Sequence, residues 1–128
     1  MTDATVNVRY IVHDVSEAIE FYTRVLRFEH HSSVLPAFAD VRHGALRLLL
    51  SGPTSSGGRT LPDGRQPEPG GWNRIHLVVD DLATEIDRLA ALGVPMRSEM
   101  VSGPGGSQVV LDDPSGNPVE LFQPARAS

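Results

Sequence analysis

The 128-residue chain has no cysteine, which excludes a disulfide framework, a thiolate nucleophile and any Cys-based zinc or iron–sulfur site. It has no lysine either, so all eleven cations are arginine. Any buried or ligand-facing cation is therefore a guanidinium, permanently charged and shaped for carboxylates and other oxyanions. Apolar runs such as Leu48-Leu49-Leu50 are far too short to cross a bilayer, so no membrane partner is expected. The opening Met-Thr-Asp-Ala-Thr lacks the basic region and apolar core of a signal peptide, and a cytoplasmic, soluble protein is expected. A positive excess is also missing: the net charge of −5 argues against nucleic acid, whose phosphates need a basic face. There is no G-x-S-x-G nucleophile elbow, and no Walker or dinucleotide glycine pattern follows a strand.

What is present is one domain's worth of chain, 1–128, with 40% hydrophobic residues and a break in its middle. From Ser51 to Gly71 the sequence is mostly Gly, Pro and Ser and reads as a connector, part of which is placed to contact a ligand. Either side of it the sequence repeats. Val8–Val12 alternates as a half-buried strand, and Asp14 caps a helix carrying Val15, Ala18, Ile19, Tyr22 and Leu26 on one face. Ile75–Val79, then Asp81, then Leu82, Ile86, Leu89 and Ala90 repeat that plan, and Gly93 stops the second helix. Strands are expected at Glu29–Ser33, Phe38–Arg42 and Leu46–Ser51, and again at Met96–Val101, Gln108–Leu111 and Val119–Gln123. The turn Asp113-Pro-Ser-Gly-Asn117 precedes the last strand, with Gly116 supplying positive φ.

The expected fold class is α+β: two βαβββ modules in tandem (5–53 and 72–124, joined by a 54–71 linker) forming a curved, barrel-like mixed sheet with helices outside. Strand alternation sets which side chains face the concavity. Val8, Tyr10 and Val12, like Ile75, Leu77 and Val79, form the uniformly apolar sides and belong against the helices. The mixed sides place Asn7, Arg9, Arg74 and His76 towards the cavity, with Glu120 and Phe122 sharing a side of the last strand. A buried Glu120 needs a cationic partner, because desolvating an unpaired charge costs several kcal/mol, and Arg74 is the candidate. Trp72 and Phe122 are candidates for stacking on an aromatic ligand, although Trp72 also suits a role pinning the linker to the core. His30-His31, His13 and His43 read as surface or turn residues.

The duplication, with Phe21-Tyr22 in the first helix and the closing Asp113-Pro-Ser-Gly-Asn-Pro-Val-Glu-Leu121, resembles the vicinal oxygen chelate superfamily. That superfamily includes glyoxalase I, bleomycin-resistance proteins, fosfomycin-resistance enzymes and extradiol dioxygenases. The resemblance runs from about Val6 to Pro124. Its metal-dependent members carry ligands early in the first strand and in the last strand of each half. Counting from the capping aspartates, those positions here are Asn7, Arg74, Glu120 and either Leu48 or Leu49. One ligand type of four is kept, and arginine cannot ligate a metal. The resemblance thus implies a metal-free small-molecule binding protein of the bleomycin-resistance type, taking an amphiphilic or anionic compound and assembling as a homodimer. Two enzymatic alternatives stand beside it. One is a lyase, isomerase or dioxygenase using a divalent metal ion held by His76 and Glu120 with a third ligand. The other is metal-free acid–base catalysis with His76 as the candidate catalytic residue.

Overall fold

The computed structural model describes residues 6–126; Thr5, where the first module is expected to begin, lies outside them. The chain divides into two compact units, one up to Gly70 and one from Gly71 onward. In the first, strand β1 (Val6–Ile11) leads to helix α1 (Val15–Glu20), which runs on into a π-helical turn (Phe21–Val25). Strands β2 (Glu29–Val34), β3 (Phe38–His43) and β4 (Leu46–Ser51) follow. The second unit has β5 (Ile75–Val78), α2 (Leu82–Ala91), β6 (Val101–Gly103), β7 (Gly106–Asp112) and β8 (Pro118–Pro124).

Both helices begin alike. Asp14 accepts from the Glu17 amide at 3.0 Å and Asp81 from the Thr84 amide at 3.1 Å, each satisfying a first-turn N–H that has no partner within the helix. The expected single face of α1 does not account for Phe21, which is buried alongside its neighbour Tyr22. The π-helical turn resolves this. Its wider spacing lets both rings turn inward, where they stack edge-on with centroids 5.2 Å apart and Tyr22 meets Phe28 at 5.4 Å.

The strands form two four-stranded sheets of like topology, β1-β4-β3-β2 and β5-β8-β7-β6. In each, the first and last strands pair in parallel and the remaining pairs are antiparallel. The two βαβββ modules are therefore present, but the curved, barrel-like sheet is not: neither sheet closes or strongly curls. Closure requires edge strands to pair. Here β2 is exposed throughout and broken by a bulge, and β6 is only three residues long.

The expected strand over Met96–Val101 is also displaced. Only an isolated bridge joins Met96 to Leu111, because the Arg97 and Ser98 amides both donate to the Val110 carbonyl and Ser98 Oγ accepts from the Val110 amide. Each core lies where the alternation puts it. Tyr10, Leu48, Leu50, Ala39 and Val41 are buried on one face of the first sheet, which α1 covers from the β3–β4 side. Ile75, Leu77, Val119, Leu121, Val109 and Leu111 form the equivalent face of the second. Among the described residues no helix is long and apolar enough to cross a membrane.

Candidate functional site

The opposite face of each sheet is polar, and each is built around one buried carboxylate. In the second unit the turn Asp113–Asn117 aims the last strand. Asp113 Oδ1 accepts from the amides of Ser115 (2.8 Å) and Asn117 (2.9 Å), with Gly116 at φ 85°. Strand β8 then presents Glu120 beside its register partner His76 on β5. Glu120 is only 7% exposed, and Arg74, just ahead of β5, supplies the counter-charge. Arg74 Nε donates to Oε1 at 2.9 Å and Nη2 reaches the same oxygen at 2.8 Å, while Nη1 donates to the Trp72 carbonyl at 3.2 Å. The His76 Nε2 atom lies 3.3 Å from the other oxygen, and its ring packs on Phe122 with centroids 4.8 Å apart. Arg74, His76, Glu120 and Phe122 are thus one cluster.

Trp72 stands apart from that cluster. It is 67% exposed, so it does not pin the linker to a core. Its ring is stacked by the guanidinium of Arg97 at 4.7 Å, which is itself held by Asp112 at 2.9 Å and by the Gly71 and Gly116 carbonyls. The unit also has a cavity of about 420 Å³ lined by Ala83, Ile86, Met96, Met100 and Val109. Val109 points away from the Glu120 face, so this cavity is not formed by the cluster.

In the first unit, Asn7 and Arg9 lie on β1 opposite Arg47 and Leu49 of β4. Arg9 Nη1 donates to Ser51 Oγ at 2.8 Å. The post-β4 segment folds over it: a side chain at Gly57 would collide with the Arg9 guanidinium, and Ser55 and Gly58 are buried. Part of the Gly/Ser-rich stretch is therefore packed structure within this unit.

Sequence reasoning missed the centre of this face. Asp40 on β3 is wholly buried, and Arg47 Nε donates to its Oδ2 at 2.8 Å. A β-bulge between His30 and Ser32 turns consecutive residues, His31 and Ser32, onto the same carboxylate. Ser32 Oγ donates to Oδ1 and His31 Nδ1 lies 3.2 Å from Oδ2. Burial alone would raise the Asp40 pKa; the hydrogen bonds from Ser32, Arg47 and His31 outweigh it and hold the carboxyl at about 2. The alternation of Asp40 with Val41 and Arg42 could have flagged a polar face. Nothing local announces the bulge.

The register also settles which leucine corresponds to Glu120. Arg9, the repeat partner of His76, pairs with Leu49, so Leu49 occupies the equivalent place in the first sheet.

The model of the Glyoxalase/Bleomycin resistance protein/Dioxygenase superfamily matches residues 5–121. The chain belongs to this superfamily. A curated relative, lactoylglutathione lyase of Pseudomonas putida, is 26% identical over 88% of this chain and 80% of its own length. Among solved structures, a superfamily member from Sphaerobacter thermophilus DSM 20745 superimposes with a TM-score of 0.76 at 27% identity, covering 96% of this chain and 98% of that one. An antibiotic binding protein from Streptomyces sp. CB03234 gives 0.72 at 24% identity over 97% and 98%, a likeness of fold.

For a superfamily in which metal-dependent members are known, the donor set is the telling feature. Among the described residues no three or more His, Asp or Glu side chains are grouped to hold an ion. His76 and Glu120 are the two donors at hand, and a guanidinium sits on one of them.

Proposed function

We propose that the protein binds a small amphiphilic or anionic molecule without a metal, in the manner of the antibiotic-binding side of its superfamily. The observation that carries this reading is the Arg74–Glu120 pair: both guanidinium contacts fall on Oε1, and His76 approaches Oε2. A carboxylate engaged in this way is a poor ligand for a cation, whereas the exposed edge of the His76 ring on Phe122 offers a flat surface with hydrogen-bonding capacity. Native mass spectrometry of freshly purified protein tests this. A bound organic molecule, or apo protein of sequence mass, is the expected result, and the same spectrum reads the oligomeric state, for which a homodimer is expected. Near-stoichiometric divalent metal that disappears in Glu120→Gln or His76→Ala would overturn the reading in favour of metal-dependent chemistry.

A second reading, acid–base catalysis by His76, is favoured by one contact, Nε2 facing Glu120 at 3.3 Å with Arg74 alongside to stabilise a developing oxyanion. Lactoylglutathione, suggested by the relative's activity, is the first compound to assay. Turnover abolished by His76→Ala with binding retained supports catalysis; parallel loss of both supports binding alone.

A further inference from the structure

We propose that the polar face of the first sheet is an oxyanion site, with Arg42 as its free donor and Arg47 as its anchored one. The site uses none of Arg74, His76 or Glu120, so it stands or falls separately from the function proposed above.

Arg42 on β3 and Arg47 on β4 are direct cross-strand partners, an arrangement in which like charges repel. Asp40 relieves only part of this. Its oxygens already accept from Ser32, His31 and Arg47, and Arg42 Nε stays 3.8 Å from Oδ2, beyond hydrogen-bonding distance. That Nε is nevertheless buried and has no hydrogen-bond partner among the described residues. A buried N–H of a charged group left unpaired is costly, and in native proteins such donors have partners.

The rest of the face does not supply one. Arg9 is committed to Ser51, Asn7 brings no charge, and Glu29, the register partner of Arg42 on β2, is exposed at the sheet edge. Three guanidiniums thus face one buried and one exposed carboxylate in a chain that is acidic overall. The Arg42 side chain is 43% exposed although its Nε is buried, so a ligand from solvent reaches its terminal Nη groups. Two neighbouring guanidiniums, one locked by Asp40 and one whose terminal nitrogens are open to solvent, suit a group with two or three equivalent oxygens: a carboxylate or a phosphate.

The test is a heteronuclear NMR titration of the full chain, following backbone amides and arginine Nε–H signals at constant ionic strength. The probes are inorganic phosphate and succinate, with sodium chloride as baseline. The expected result is saturable shifts at Arg42, Arg47 and their strand neighbours. Arg42→Gln should weaken binding about tenfold or more, as loss of a charge-assisted hydrogen bond implies. Arg42→Lys, which keeps the charge and the fold but not the fork, should fall between. Arg24→Gln, on the exposed pair with Glu20, should leave binding unchanged. Saturation by phosphate alone assigns a phosphate ligand and by succinate alone a carboxylate; either supports the site. Shifts that match chloride for both anions, or equal weakening by Arg24→Gln and Arg42→Gln, would overturn it.

Discussion

In the second unit the transverse row His76–Glu120–Val110 places a carboxylate on β8; in the first, the corresponding row Arg9–Leu49–Asp40 places it on β3. The acid has moved one strand sideways within the same row. Around it the partners differ as well. Glu120 has one arginine and one histidine edge, whereas Asp40 has a serine, a histidine and two arginines, one of them unsatisfied. The apolar faces and helix caps are nearly interchangeable between the units. The duplicated plan thus preserves what folds each module and leaves its polar face free to change, on the condition that each buried carboxylate keeps a guanidinium.

The largest effect is expected from removing the more deeply buried acid. Asp40→Ala leaves Arg42 and Arg47 facing each other with nothing between them, and should lower stability by about 3–5 kcal/mol, the range for deleting one partner of a buried pair. Urea unfolding measures it. The pH dependence gives an independent check. The folded-state pKa of Asp40, about 2, lies below its ordinary value of 3.8. The carboxylate's stabilisation is therefore fully present above the ordinary value and is lost as pH falls from there through about 2. The gap in unfolding midpoint between the wild type and Asp40→Asn should be widest near neutrality and close over that window; a gap independent of pH would contradict the ion-pair account.

A smaller effect is expected in the second unit. Arg74 is a quarter exposed and also donates to the Trp72 carbonyl, so it retains partners and solvent when its carboxylate is lost. Glu120→Gln should cost about 1.5–3 kcal/mol, the span for losing a hydrogen bond to a charged group. A loss as large as that of Asp40→Ala would mean that the two faces are equally dependent on their acids.

Much of this contrast was legible in the sequence for the second unit and little of it for the first. Strand alternation places Glu120, His76 and Arg74 on one side, and charge complementarity then points to a pair. On the first sheet the decisive step is non-local: His31 and Ser32 reach Asp40 only because β2 and β3 slip by one residue, and no periodicity within β2 encodes that slip. The same reason explains the barrel-like sheet that is not observed. Alternation identifies the faces of strands, but closure depends on edges, and the bulged β2 and the three-residue β6 are products of pairing. The π-helical turn escaped for a different cause, since Phe21 and Tyr22 compete for a core that a regular helix could give to only one of them.

The smallest predicted effect concerns the feature the units share most closely. Asp14 and Asp81 each accept from the amide three residues on, at 3.0 and 3.1 Å, but the helices they start differ: α1 is six residues and passes into the π-helical turn, while α2 is ten. Asp14→Ala should cost ~1 kcal/mol, typical of a lost N-cap, and hydrogen exchange should quicken first at the amides of Ser16 and Glu17. Asp81, whose carboxyl is held below its ordinary pKa by the Thr84 N–H, stabilises its helix above that ordinary value and loses the effect as pH falls below it. Because α1 is short and continues into wider turns, fraying at Glu17 should spread towards Phe21, whereas the Asp81→Ala defect should stay within the first turn of α2. Equal spread in both helices would show that the π-helical turn adds no weakness of its own.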